Sequence, residues 1–180
     1  MRKHLRRFAE KFWKQPYEKG FVSVHYGALL ALALALLLLP PEWVFGWLVA
    51  TAVHEVSHLI ALKAVGVPVV RIRFGFLGAK IDTVPLSSAE ELISAAAGPI
   101  GGLVIAAFTV NVPCICFCAL SQSFFNLLPV YPMDGGRIFK LVCFYLFDDL
   151  RVKWICKIVN ILVPMILTLL LLCFCGMKYI

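Results

Sequence analysis

Residues 43–65 read WVFGWLVATAVHEVSHLIALKAV, an apolar segment with three ionisable side chains, His54, Glu55 and His58, near its middle. About 20 apolar residues are enough for a helix to cross the hydrocarbon core of a bilayer. Ionisable side chains inside such a span are energetically costly and are rarely without a function. The run from His54 to His58 therefore needs one chemical explanation for all three groups.

A metal site supplies that explanation. In a helix, residues four apart lie on one face, so the imidazoles of His54 and His58 can point at a single cation with Glu55 beside them. Zn²⁺ favours imidazole nitrogen and accepts a tetrahedral site with one open position. The segment therefore predicts one bound zinc ion, with Glu55 as a general base. A chance pentapeptide in a helix would leave the cost of three ionisable groups in lipid unexplained.

Two histidines leave a zinc site incomplete, and the best candidate for a third ligand is Asp134, in the stretch 126–136, NLLPVYPMDGG. Pro129 and Pro132 break the apolar segment there, and the freed backbone groups must be buried in protein or line a wet cavity. The two glycines after Asp134 allow a close backbone approach. Asp134 could complete a His₂Asp site with water in the fourth position. It could equally cap a helix in an interfacial loop, and the spacing alone does not decide.

The composition indicates a membrane protein. Of the 180 residues, 62% are hydrophobic and 15% are charged, which is more apolar surface than a soluble domain of this length can bury. The net charge is +7, but seven of the 17 basic residues precede the first apolar run, as expected beside an anionic cytoplasmic leaflet. The seven cysteines include no C-x-x-C pair typical of a structural zinc site. We therefore expect contact with a lipid bilayer and no binding of nucleic acid.

Five apolar segments follow one another along the chain, at 21–39, 43–65, 92–112, 114–130 and 158–175. Residues 67–82 are rich in β-branched and aromatic residues, which predicts a short hairpin at the membrane surface. Residues 133–149 predict a short amphipathic helix at the interface. The expected fold class is an all-α polytopic membrane protein with about five transmembrane helices and a short cytosolic-side β-hairpin. We expect a single domain over 1–180, with a basic cytosolic tail at 1–20 and a transmembrane core at 21–175.

The distribution of lysine and arginine predicts the orientation. Five crossings that start in the cytosol place sixteen of the 17 basic residues on the cytosolic side and leave only Lys178 outside. The opposite orientation would invert this bias. We therefore expect a multi-pass protein of the cell membrane with a cytoplasmic N-terminus.

Two motifs together resemble a known family. HExxH in one membrane segment, followed far downstream by N-x-x-P-x-x-x-x-D-G at Asn126–Gly135, is similar to the site-2 protease family of intramembrane metalloproteases. The likeness spans about residues 21–147 and is greatest to the compact bacterial branch that includes the stage IV sporulation protease. It implies cleavage of a peptide bond in or near a transmembrane segment of a membrane-associated substrate, such as a sporulation-type regulatory precursor. It also implies that the metal ligands are His54, His58 and Asp134, the catalytic base is Glu55, and a substrate-positioning or oxyanion-stabilising group is Asn126.

Other functions stay open at this point. A non-catalytic zinc-binding membrane protein or transporter is one alternative, although a transporter should have ligand residues on several spans. Another integral zinc hydrolase, acting on a lipid or a prenylated peptide, is a second. Neither a nucleotide-sensing CBS domain nor a PDZ-like insertion is expected, so regulation by ATP does not carry over from the resemblance. An inhibitory or adaptor membrane protein could be a partner, and the sequence does not determine the oligomeric state.

Overall fold

The computed structural model describes residues 22–76 and 78–177, and the basic tail predicted at 1–20 lies outside them. Six helices and three strands make up the described chain. In order, they are β1 (Val22–Val24), α1 (Tyr26–Leu38), α2 (Pro41–Ala64), β2 (Val69–Gly75), β3 (Gly78–Thr83), α3 (Ser88–Phe108), α4 (Pro113–Asn126), α5 (Asp134–Leu146) and α6 (Asp149–Met177). The protein is thus mostly helical, as the sequence predicted.

Local chemistry accounts for two of the helix boundaries. Pro40 and Pro41 separate α1 from α2, because proline lacks the N–H needed inside a helix but fits its first turn. Ser87 caps α3: its Oγ accepts from the N–H of Glu90 at 3.4 Å, and the Glu90 carboxylate accepts from the N–H of Ser87 at 2.8 Å. These two reciprocal hydrogen bonds set the first turn of α3.

Helices α2, α3 and α4 pack against one another and form the centre of the molecule. Their shared core consists of small side chains, Ala50, Ala106 and Ala119, all of them fully buried. A Cβ on Gly46 would lie 2.8 Å from the backbone of Cys114, so α2 needs glycine where it crosses α4. Small residues allow helix backbones to approach closely, which is how helices associate within membranes.

Three helices are long and apolar enough to cross a membrane: α2, α3 and the part of α6 from Asp149 to Leu170. Helix α1 is apolar but has only 13 residues, and at about 1.5 Å per residue it is shorter than the hydrocarbon core of ~30 Å. Helix α4 has 14 residues. The structure therefore supports three of the predicted spans, and the total of five stays a prediction.

Large apolar side chains cover the outside of the molecule. Leu37 and Phe108, for example, are 79% and 83% exposed, whereas the polar side chains of His54, His58 and Ser123 are buried. Soluble proteins rarely expose so much apolar surface, but a surface that faces lipid does so throughout. Together with the three long apolar helices, this distribution indicates a membrane protein.

The hairpin predicted at 67–82 is present as the antiparallel pair β2 and β3, and a third strand extends it. Strand β1 pairs parallel with β2, with Val24 opposite Phe74. The sequence analysis assigned the whole apolar run from residue 21 to a helix, and this was wrong for Val22–Val24. The β-branched valines suit a strand, but the strand forms only because β2 lies beside it.

The last two helices also depart from the prediction. The amphipathic helix expected at 133–149 is α5, but its first turn, with Asp134, Gly135 and Gly136, is buried in the protein and does not lie on the surface. The apolar segment expected at 158–175 is part of the longer α6, which begins at Asp149. The charged residues after α5 therefore form the first turn of α6.

Candidate metal centre

Three buried side chains from two helices meet at one point. Nε2 of His54 and Nε2 of His58 each lie 3.2 Å from Oδ2 of Asp134, and the two nitrogens are 3.1 Å apart. Helix α2 supplies the histidines, which are one turn apart, and α5 supplies Asp134 as its first residue. The structure thus brings together the three residues that the sequence and the family resemblance indicated, and they could hold a metal ion.

The partner of His58 determines which of its nitrogens faces Asp134. The Nδ1–H of His58 donates to the carbonyl oxygen of Ser94 at 2.7 Å. A neutral imidazole carries one N–H, so this bond leaves a lone pair on Nε2, directed at Asp134 and His54. Metal-binding histidines usually have their second nitrogen held in this way. Helix α3, through Ser94, therefore orients one ring of the pair.

The donor set fits a tetrahedral cation. Zinc bonds to nitrogen and oxygen of ~2.0–2.2 Å would place neighbouring donors ~3.3 Å apart, and the three distances here are 3.1 to 3.2 Å. Burial raises the pKa of Asp134, but when the imidazoles of His54 and His58 carry protons in place of a metal, their hydrogen bonds and positive charge outweigh burial and lower that pKa to about 2. Asp134 is therefore a carboxylate at neutral pH. Two imidazole nitrogens and one carboxylate oxygen are ligands that zinc accepts.

A glycine on α3 makes room for both imidazoles. A Cβ on Gly98 would overlap Nε2 of His58, and it would lie 2.6 Å from Cε1 of the same ring and 2.7 Å from Cε1 of His54. Contacts this short cannot be relieved without moving one of the rings. Gly98 therefore allows α3 to lie directly against the histidine pair.

The glycine pair after Asp134 explains how that carboxylate reaches α2. A Cβ on Gly135 would overlap the carbonyl oxygen of Leu127, and one on Gly136 would lie 2.5 Å from the backbone nitrogen of Tyr131. Without side chains at these positions, the first turn of α5 lies directly on the connection from α4. The N-terminus of a helix also favours a negative charge. Asp134 is thus held at the triad by backbone packing as well as by charge.

Glu55 lies next to the triad and is half-buried. Its charge interacts with both imidazoles and with Asp134, and its carboxylate accepts a hydrogen bond from the backbone N–H of Ala79. A Cβ on Gly78 would lie 4.0 Å from Oε1 of Glu55. Glu55 therefore stands between the triad and the first residues of β3.

Asn126 is the last residue of α4. Its Nδ2 donates to the carbonyl oxygen of Gln122 at 3.0 Å, one turn earlier in the same helix. Within the described ranges, no hydrogen bond joins Asn126 to the triad. The substrate-positioning role that the family resemblance implies for Asn126 therefore stays a prediction.

The sequence analysis missed three residues around the triad: Ser94, Glu91 and Arg137. Nη1 of Arg137 lies 3.6 Å from Oδ1 of Asp134, and its Nε lies 3.5 Å from Oε1 of Glu91. The sequence did contain a signal for Arg137, because it lies three residues after Asp134, and residues three apart in a helix share a face. Ser94 and Glu91 of α3 carried no such signal, because their contacts depend on how α3 packs against α2 and α5.

No protein-family model and no curated protein sequence matches the chain. Among solved structures, the chain is similar to the Site-2 Protease from Methanocaldococcus jannaschii, with a TM-score of 0.64 over 91% of this chain and 86% of that one. The two sequences are 20% identical. The chain has a site-2 protease fold. The site-2 protease resemblance drawn from two short motifs is thus supported by the three-dimensional arrangement, whereas nothing in the comparisons points to the sporulation branch.

Proposed function

We propose that this chain is an intramembrane zinc metalloprotease. It hydrolyses a peptide bond in or near a transmembrane segment of a membrane-associated protein. The observation that carries the proposal is the convergence of His54, His58 and Asp134, with Glu55 beside them, inside a bundle whose outer surface is apolar. The site-2 protease fold supports the same conclusion.

His54 and His58, each through Nε2, and Asp134, through Oδ2, would hold the zinc ion. A zinc ion in such a site supplies Lewis acidity, which activates a water molecule and polarises a carbonyl group. Glu55 is the general base: its carboxylate takes a proton from the attacking water and gives it to the nitrogen of the leaving amine. Ser94 keeps His58 in the tautomer that leaves Nε2 free.

The hairpin is the proposed binding surface for the substrate backbone. Among the described residues, β3 is hydrogen-bonded to β2 on one side only, so its other edge is open to a further strand. The first residues of β3 contact Glu55. An extended peptide paired with β3 would therefore pass beside the general base. Asn126 is proposed to position the substrate or to stabilise the oxyanion, which requires its amide to turn away from Gln122.

We also propose that the protein crosses the cell membrane several times with its N-terminus in the cytosol. The basic residues support this orientation, because five crossings that start in the cytosol would place sixteen of the 17 on the cytosolic side. The substrate of such an enzyme is a single-span or tail-anchored membrane protein. A sporulation-type regulatory precursor is one substrate to include in the tests.

The proposal is tested by comparing the purified protein with its Glu55→Gln variant on a panel of single-span substrates in detergent micelles. Removal of a general base lowers the rate of cleavage about 10²- to 10⁴-fold. The variant should keep its zinc, because Glu55 is not a ligand. Glu42→Gln is the matched control, since Glu42 is an exposed glutamate in the first turn of the same helix. It should cleave at the wild-type rate.

The outcomes separate the parts of the proposal. Equal cleavage by the wild-type protein and by Glu55→Gln would remove Glu55 from the mechanism. Bound zinc without cleavage of any substrate on the panel would favour the non-catalytic zinc protein over the protease. Absence of zinc from the purified wild-type protein, even after reconstitution with zinc salts, would contradict the metal centre itself.

A further inference from the structure

The carboxylate of Asp134 has two oxygens in different surroundings. Oδ2 faces both imidazoles at 3.2 Å, whereas Oδ1 faces Nη1 of Arg137 at 3.6 Å. Arg137 lies one turn after Asp134 on α5, so the two side chains share a face of the helix. The arginine therefore stands at the side of the carboxylate that is turned away from the histidines.

Arg137 is itself held from a second helix. Its Nε lies 3.5 Å from Oε1 of Glu91, in the first turn of α3. Glu91 and Ser94 are three apart in α3 and lie on one face of that helix. Ser94 accepts a hydrogen bond from His58 directly, whereas Glu91 pairs with Arg137 and reaches Asp134 only through it. One turn of α3 thus supports the histidine of α2 and the aspartate of α5 together.

We propose that Arg137 is a positioning residue that reserves Oδ2 of Asp134 for the metal by holding Oδ1. The inference rests on the proposed metal centre. A free carboxylate can bind a cation through one oxygen or through both, and the second oxygen would occupy the position that a zinc hydrolase keeps open for water and substrate. With Oδ1 paired to a guanidinium, Asp134 contributes one donor atom, and the fourth position stays open.

The outer pair of Arg137 with Glu91, taken by itself, would have little effect on folding stability. The side chains of Arg137 and Glu91 are 27% and 35% exposed, and ion pairs at this exposure add little to folding stability. Arg137 also lies beside Asp134, a proposed metal ligand, and the orientation of a metal ligand depends on the groups that hold its other atoms. Metal affinity and coordination geometry are therefore the properties that Arg137 should control.

The test uses Co²⁺ as the probe, because zinc has no visible absorption and the d–d bands of Co²⁺ report the coordination geometry. The metal-free full-length protein and its Arg137→Gln variant are titrated with Co²⁺. Loss of an outer partner lowers metal affinity about 10- to 100-fold. We also expect weaker visible bands in the variant, since a second oxygen from Asp134 raises the coordination number above four. Arg137→Lys keeps one positive charge, and it should recover part of the affinity.

Arg151→Gln is the matched control. Nε of Arg151 lies 3.1 Å from Oδ1 of Asp148, again three residues earlier in the chain, but both side chains are exposed and neither is a proposed metal ligand. The control should show wild-type affinity and bands. If Arg137→Gln loses its helical circular dichroism, the same Co²⁺ titration is carried out on Glu91→Gln. This substitution removes the partner of Arg137 and leaves the positive charge of Arg137 in place.

Three results would overturn the inference. Wild-type Co²⁺ affinity and bands in Arg137→Gln and Glu91→Gln would remove Arg137 from the metal centre while the centre itself stands. Weaker affinity with unchanged bands would assign the residue to folding rather than to the orientation of Asp134. If the wild-type protein binds no Co²⁺, or if His58→Ala binds it equally well, the metal centre fails and the inference fails with it.

Discussion

Helices α2 and α6 are both long and apolar enough to cross a membrane, yet their surroundings differ. On α2, five of the six buried residues recur at every fourth position along one face: Gly46, Ala50, His54, His58 and Leu62. On α6, Val152 near the start is the one buried side chain among those that the structure describes. Farther along, Leu169 and Leu170 are 54% and 61% exposed.

The contrast separates two properties of an apolar helix: whether it enters lipid, and whether it packs against other helices. Hydrophobicity places a helix in lipid, but lipid is as apolar as leucine, so hydrophobicity does not drive one helix against another there. Helix α2 packs inside the protein because it has small and polar residues on one face. Among the side chains of α6 that the structure describes, those after Val152 are half-buried or exposed, and the helix lies at the edge of the bundle. Substitutions on the two helices should therefore have effects of very different size.

The largest effect is expected on the buried face of α2. His58→Ala removes one of three proposed ligands and leaves Asp134 and His54 facing each other without the third donor. We expect the variant to lose its bound zinc and all measurable cleavage, as measured by elemental analysis of the purified protein and by substrate assay. His25→Ala is the control, since His25 is exposed at the start of α1. A His58→Ala protein with a full equivalent of zinc would contradict the comparison.

A smaller effect is expected where α3 meets the same face. In Gly98→Ala, the new Cβ would displace the two imidazoles, so we expect metal affinity to fall at least about tenfold. Overpacking should also lower the unfolding free energy by ~1–3 kcal/mol. Co²⁺ titration and thermal unfolding measure the two quantities.

Gly46→Ala is the control for this variant, because its Cβ would meet the backbone of Cys114 in α4 and no ligand. It should lose stability and retain metal affinity. Equal metal affinity in the two variants would show that Gly98 has a packing role alone.

The smallest effect is expected on α6. Oδ1 of Asn160 accepts from the N–H of Tyr131 at 2.8 Å, which ties α6 to the connection before Asp134. Asn160→Ala should cost about 1 kcal/mol of unfolding free energy, the usual worth of one hydrogen bond, with zinc retained. Leu169→Ala, on the exposed part of α6, should change neither quantity. A loss of zinc in Asn160→Ala would mean that α6 supports the site more closely than its exposure indicates.

The parts of the site that the sequence predicted are those governed by local periodicity. His54, Glu55 and His58 lie within five residues, and the helix repeat alone places the histidines on one face. The hairpin was likewise predicted from its β-branched and aromatic residues. Asp134 was a different case, because its spacing was equally consistent with a helix cap, and only the family resemblance favoured the ligand role.

Other features were decided by tertiary structure alone. The strand Val22–Val24 belongs to an apolar run that the composition assigned to a helix, and it is extended because β2 offers it a partner. The contact of Ser94 with His58 and the pairing of Glu91 with Arg137 join different helices. Such contacts depend on how close two helix axes come, which the periodicity of either helix does not contain.

The sequence by itself determined that the chain belongs in lipid and that one helix carries two imidazoles and a carboxylate on adjacent faces. Both follow from side-chain chemistry and from the 3.6-residue repeat, which act within a single segment. Only the tertiary structure decided that Asp134 completes the triad, because two glycines and a folded-back connection bring α5 onto α2. That approach depends on backbone packing between segments far apart in the chain.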